Sequence, residues 1–157
     1  MKLQFINIGK PHDAALKKAI DDFTRRVNNY YKAEWIIIPP LKNAASLSPN
    51  ILKEQEAQAL LSKLEKDDFL VLLDETGKQL SSVELANFIS QKANTSTRSL
   101  VFLIGGAFGV SDAVKQRANF SWSLSKLVFP HMIARLILAE QVYRACTILR
   151  NEKYHHV

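Results

Sequence analysis

Two spacings of apolar residues alternate along the chain. From Lys2 to Ile8 the residues are mostly apolar, with Leu3, Phe5 and Asn7 alternating against Gln4, Ile6 and Ile8. This is the pattern of a buried strand, and Gly9 ends it. Pro11 and Asp13 suit the first turn of a helix. The helical spacing of Leu16, Ile20, Phe23 and Val27 carries that helix towards Tyr30. Ala33 to Ile38 reads as a second strand, stopped by Pro39-Pro40, and LKNAASLSPN follows as a loop. Ser48 and Pro49 have the N-cap and N1 preferences that open a helix, continued through Leu52, Leu60, Leu61 and Leu64.

The same alternation repeats in the second half. Lys66-Asp67-Asp68 turns the chain into Phe69 to Leu73, a continuous apolar run of the kind found in a central parallel strand. Asp74 to Lys78 is a polar loop, and Ser81 or Ser82 caps a helix through Leu85, Phe88 and Ile89. Ser99 to Ile104 is another apolar strand, running straight into Gly105-Gly106-Ala107-Phe108-Gly109, after which Ser111 and Asp112 start a short helix. Ser121, Ser123 and Ser125 then alternate with Trp122, Leu124 and Leu127, predicting a short strand that Pro130 closes. Met132 to Leu149 is helical in composition, without Gly or Pro. Strands alternating with helices predict an α/β fold with a mainly parallel sheet. Three polar or glycine-rich segments, 74–78, 105–109 and 125–131, each follow a strand. If those strands are parallel neighbours, all three share one rim, where open α/β sheets bind ligands.

The length of 157 residues suits one domain that needs no disulfide or metal to fold. Cys146 is the only cysteine, which excludes an intrachain disulfide and a two-cysteine metal site. It reads as a small buried hydrophobe. The start, MKLQFINIGK, is too short an apolar segment for a signal peptide, and no window reaches a membrane span. A cytoplasmic protein without membrane contact is the expectation. The net charge of +6 is uneven: residues 1–112 carry 14 basic and 13 acidic side chains, residues 113–157 carry 7 and 2. A basic C-terminal third suggests a polyanionic partner.

Three of the five glycines lie between 105 and 109. The cluster matches neither a P-loop nor G-x-G-x-x-G, and it reads either as a ligand-binding turn or as a tight strand-to-helix connection. No Cys or carboxylate has metal-ligand spacing beside His131, His155 and His156, so no metal is expected. His12 reads as a surface residue of a helix's first turn. Glu140 and Arg144 are four apart and can pair on one helix face. Arg135 and Arg144 are nine apart, on roughly opposite faces. Charges on two sides of so apolar a helix suggest burial against a second subunit around a shared cleft. Tyr154-His155-His156 is either a frayed terminus or a tail that reaches back over the rim.

LLDETGKQLSS (72–82), FLIGGAFG (102–109) and SLSKLVFPHMIARLILAEQVYRA (123–145), with the tail YHH, resemble the SPOUT-class methyltransferases. Within that class the chain is similar over its whole length to the ribosomal large subunit pseudouridine N3-methyltransferases. Ala107-Phe108 departs from the Pro- or Ser-containing turn of that family. The resemblance implies a single α/β domain, residues 1–157, with a C-terminal trefoil knot, and an obligate homodimer. It implies S-adenosylmethionine as methyl donor, held at Leu73, Gly105, Leu124, Ser125, Lys126, Leu127, Val128 and Phe129. The implied substrate is a pseudouridine of large-subunit rRNA in the assembled ribosome. His131, Glu140, Arg144, Tyr154 and His155 are the candidate catalytic groups, with Arg144 as electrostatic stabiliser and His155 as orienter or base. Two rivals remain at this point: a non-enzymatic RNA-binding protein, supported by the basic C-terminal third, and a nucleotide-binding protein using the glycine turn for phosphate.

Overall fold

Residues 1–156 are described by the computed structural model. Five strands form one parallel sheet in the order β2-β1-β4-β3-β5: β1 (Lys2–Ile8), β2 (Ala33–Ile38), β3 (Phe69–Gln79), β4 (Ser99–Ile104) and β5 (Phe120–Ser123). The helices are α1 (Ala14–Val27), α2 (Pro49–Leu61), α3 (Ser82–Asn94), α4 (Asp112–Arg117) and α5 (His131–Leu149), and a 3-10 turn at Ala44–Ser46 interrupts the expected loop. They cover both faces. Leu3, Phe5, Phe102 and Ile104 pack on one side with Leu85 of α3 and with Leu138 and Val142 of α5. Ile6, Leu70, Leu72 and Leu103 pack on the other with Leu60 of α2 and Val114 of α4. Central strands buried on both faces explain why β4 is apolar from Leu100 to Ile104 and why β1 is mostly apolar.

The caps follow local chemistry. Asp13 accepts the Ala15 N–H at 2.9 Å, and Ser48 Oγ accepts that of Ile51 at 3.4 Å with Pro49 as the first helical residue. Ser81 and Glu84 form a reciprocal capping box: Ser81 Oγ accepts the Glu84 N–H at 3.1 Å, and Glu84 Oε2 accepts the Ser81 N–H at 2.7 Å. Cys146 is buried, and burial pushes its thiol up to about 12, so it is an inert core side chain.

Five boundaries differ from the sequence reading. Helix α1 stops at Val27 because the Asn28 side chain turns the chain, accepting the Ala33 N–H and donating to the Ala33 carbonyl, both at 3.0 Å. Helix α2 ends at Leu61, short of Leu64, because the chain tightens into turns there, with the Lys63 N–H on Leu60 O at 3.0 Å and the Leu64 N–H on Leu61 O at 3.2 Å. Strand β5 ends at Ser123, before Leu124 and Leu127, because Ser123 Oγ donates to Ser125 O at 2.8 Å and Ser125 Oγ accepts the Leu127 N–H at 3.0 Å. Helix α5 starts one residue early, at His131. The largest difference is at 74–78, which is not a loop. Strand β3 bulges outward after Leu73 and returns, so that both Leu73 and Lys78 register with Trp122. Gly77 permits the return, since a Cβ there would lie 2.7 Å from the Ser121 and Trp122 backbone. A polar segment pairing with an edge strand has no apolar alternation to announce it.

Candidate functional site

Strands β4, β3 and β5 are neighbours, so their C-terminal ends open on one rim. A cavity of about 500 Å³ lies there, within the size range of small-molecule sites. Its walls come from Leu73 to Thr76 at the bulge of β3, the glycine turn from Gly105 to Val110 after β4, and the segment after β5. Among the expected cofactor positions Leu73, Gly105, Leu124, Ser125, Leu127, Val128 and Phe129 line the cavity, while Lys126 does not. His131 and Ala134 close it from the first turn of α5.

The wall chemistry is mixed. Thr76 donates its N–H and its hydroxyl to Asp74 Oδ1 at 2.8 and 2.6 Å, and those bonds hold the Asp74 carboxyl below its usual range. Lys53 of α2 and Lys115 of α4 reach the same space, as does the buried Trp122, whose indole N–H has no partner among the described residues. Leu127 and Val128 are 70% and 78% exposed, leaving an apolar lip with nothing against it. Gly109 has φ +81°, a conformation that favours glycine. At Gly105 a Cβ would meet Val110 Cγ1 at 2.6 Å, so this residue is glycine because the turn folds tightly on itself.

The other candidates gather elsewhere. Beyond α5, Asn151 adopts φ +55°, and the Glu152 N–H bonds back to Thr147 O at 3.0 Å, reversing the chain. The tail then lies along α5. Glu140 Oε1 accepts Arg144 Nε at 3.0 Å, Arg144 Nη2 at 2.5 Å and the Tyr154 hydroxyl at 3.0 Å, and its Oε2 accepts Gln141 at 2.7 Å. Arg144 sits 4.7 Å from the Tyr154 ring centroid, and the Tyr154 ring stands 4.8 Å from that of Tyr143. Tyr154 therefore has an apolar partner and the tail is not frayed, contrary to one of the two sequence readings. Hydrogen bonding to Glu140 raises the Arg144 pKa, keeping the guanidinium charged, and burial with the Glu140 bond raises that of Tyr154, keeping the phenol neutral. His155 Nδ1 lies 3.4 Å from Arg144 Nη1. A guanidinium only donates, so Nδ1 is the accepting nitrogen and the His155 proton resides on Nε2.

Two expectations are corrected here. Arg135 does not face a cleft between subunits. It is 1% exposed, donates to Lys10 O at 3.0 Å and contacts His12 Nδ1 at 3.3 Å within its own fold. His12 is accordingly no surface residue of a first turn: it precedes the N-cap, half-buried, with its ring edge-on to Trp35 at 4.9 Å. Burial, then the Arg135 charge, pushes the pKa of both His12 and His131 below the usual imidazole range. Lys53, Lys115 and the buried Arg135 contacts carried no local signal, because each depends on an approach between distant segments. Among the described residues no group of His, Cys, Asp and Glu could hold a metal ion, and no helix is long and apolar enough to cross a membrane.

A family model described as "Predicted SPOUT methyltransferase" matches residues 1–155. The chain belongs to the SPOUT methyltransferase family. It is similar to the ribosomal RNA large subunit methyltransferase H of Cytophaga hutchinsonii, at 46% identity over 99% of this chain and 100% of that protein. The protein of the same name from Flavobacterium johnsoniae is 44% identical over 99% of both chains. Among solved structures, a probable methyltransferase from Bordetella pertussis Tohama I shares the fold, with a TM-score of 0.54 at 12% identity over 92% of this chain and 96% of that one. SPOUT membership makes the chain a methyltransferase and disfavours both rival readings.

Proposed function

We propose that this SPOUT protein transfers a methyl group from S-adenosylmethionine to N3 of a pseudouridine in large-subunit rRNA, acting on the assembled ribosome as a homodimer in the cytoplasm. The observation that carries the reading is the cavity lined by Leu73, Gly105 and Leu124 to Phe129 at the ends of three neighbouring strands. Near-complete coverage of relatives named for large-subunit rRNA supports the substrate class. The trefoil knot belongs to the same proposal. Its support is the match of the SPOUT family model over residues 1–155.

The cavity fits the cofactor on its own chemistry: a roomy, partly apolar wall, an unpartnered indole N–H, and both carboxylates and lysines at the lip for a zwitterionic group. Bound S-adenosylmethionine supplies an electrophilic methyl on a cationic sulfonium. The protein has to hold the acceptor in line with it. The N3 of a pseudouridine is an imide nitrogen that loses a proton as it attacks, so negative charge develops on the ring. Arg144, fixed by Glu140, offers a permanent positive charge to that ring. Both Glu140 oxygens are engaged, which makes Glu140 the holder of Arg144 and Tyr154 rather than the base. With its proton on Nε2, His155 orients the base by donating to a ring carbonyl, and Tyr154 offers an aromatic face for stacking.

The cavity and this cluster do not meet within one chain. Arg144 is thirteen residues from His131, about 20 Å of helix. A homodimer that sets the tail of one protomer over the cavity of the other completes the site, and it also covers Leu127 and Val128. The test is methyl transfer from labelled S-adenosylmethionine to ribosomes of a strain lacking the gene. Incorporation of one methyl per ribosome, mapped to a pseudouridine of the large subunit, is expected. No incorporation, or incorporation only into free rRNA or the small subunit, contradicts the reading.

A further inference from the structure

Glu56 is an acid where the fold has no visible need of one. It sits on α2 and is 92% buried, the complement of its 8% exposure, yet among the described residues no hydrogen bond or ion pair to its carboxylate forms. Its carboxylate packs against the glycine turn. A Cβ on Gly106 would lie 2.5 Å from Glu56 Oε2 and 3.1 Å from Oε1. Gly106 lines the cavity, and so does Lys53, one helical turn before Glu56 on the same face of α2. Burial of the side chain raises the Glu56 pKa, while its carboxylate oxygens keep some accessible surface and lack a donor. Such a group is kept when a ligand supplies the missing donors.

We infer that the Glu56 carboxylate, reached past the bare Cα of Gly106, accepts hydrogen bonds from the ribose hydroxyls of an adenosyl cofactor and so selects a ribose-bearing ligand. The inference rests on the proposed S-adenosylmethionine site. The ligand offers three kinds of group to an acid: the sulfonium, the ammonium and the ribose diol. The two cations have other acids available in the bulge of β3, the half-buried Asp74 and the exposed Glu75. A carboxylate enclosed behind a glycine turn suits a neutral diol, which presents two parallel donors to two oxygens, and acids fill that role towards ribose in other α/β folds. Gly106 is then glycine because any side chain would occupy the space that the carboxylate needs.

The test is calorimetric binding of S-adenosylhomocysteine, its 2′-deoxy analogue and 5′-deoxy-5′-methylthioadenosine, which lacks the amino-acid end, to the full chain and to Glu56→Gln. The unmodified protein is expected to bind the ribose ligands at least about tenfold more tightly than the deoxy analogue, the scale of one charge-assisted hydrogen bond. Glu56→Gln, nearly isosteric, should lose most of that preference and lose affinity for methylthioadenosine to the same degree. Failure of the unmodified protein to bind S-adenosylhomocysteine or S-adenosylmethionine at all would overturn the reading of the site itself. Normal binding without ribose preference would overturn the Glu56 inference alone. So would a Glu56→Gln deficit that vanishes with methylthioadenosine, which would assign the carboxylate to the ammonium. An absence of ribose preference in the unmodified protein overturns the inference even if the variant does not fold.

Discussion

His131 and Arg144 stand on the same helix and serve different places: His131 closes the rim cavity, and Arg144, bound to Glu140 at 2.5 Å, lies about 20 Å further along with the folded-back tail. A methyl transfer that needs both requires two copies of the chain. Arg144→Ala should abolish transfer through the tail cluster, and Ala134→Arg should do so by driving a long side chain into the cavity from a helix that tolerates it. Co-expressed, the two variants form mixed dimers with one intact site. Activity should return to about a quarter of normal, since half of randomly assorted dimers are mixed and each retains one site of two. A mixture as inactive as its components would contradict the shared site.

Truncation after Lys153 removes Tyr154 and His155 while leaving every cavity-lining residue in place. Affinity for S-adenosylmethionine should stay within about twofold. Single-turnover methylation of ribosomes should fall by roughly two orders of magnitude or more, the scale of a lost positioned polar group. Near-normal rates in the truncated enzyme would remove the tail from the mechanism.

Ile137 and Val142 separate the dimer from the fold. Val142 is fully buried within its own chain, against the sheet, whereas Ile137 is only half-buried. A buried charge without a partner costs several kcal/mol. Ile137→Glu should therefore yield a folded monomer in sedimentation, and Val142→Glu should fail to fold. A dimeric Ile137→Glu protein would move the interface away from this face of α5.

His12 makes stability depend on pH. Its folded pKa lies below the ordinary 6.5, first through burial and then through Arg135. A group with a depressed folded pKa contributes its stability above the unfolded pKa and loses it as pH falls through the folded one. Denaturant melts should show stability declining as pH drops from 7 towards 5, before most carboxylates titrate. His12→Phe, which keeps a ring against Trp35, should flatten that decline. An unchanged slope would mean that His12 is not held neutral.

How much of this was legible in the sequence depends on the distance over which each feature is decided. The N-caps at Ser48 and Ser81 and the apolar runs of β1 and β4 are local, and they were readable as such. The convergence of three segments on one rim was also readable, because parallel order follows from alternating strands and helices. The return of β3 at Lys78 was not, since it is made by pairing with β5 across more than forty residues. Arg135 looked like an interface charge because nothing near it in sequence shows that Lys10 and His12 receive it. Nothing local sets Glu56 apart from the other acids of α2, because the glycine turn that meets its carboxylate is distant in sequence.

The account stands most directly on the modification state of the ribosome. Large-subunit rRNA from a strain lacking this gene, digested to nucleosides and fragments and weighed by mass spectrometry, should lack one methyl on one pseudouridine. Restoring the unmodified gene should return it, and restoring the Arg144→Ala form should not. An rRNA modification profile identical with and without the gene would contradict the account.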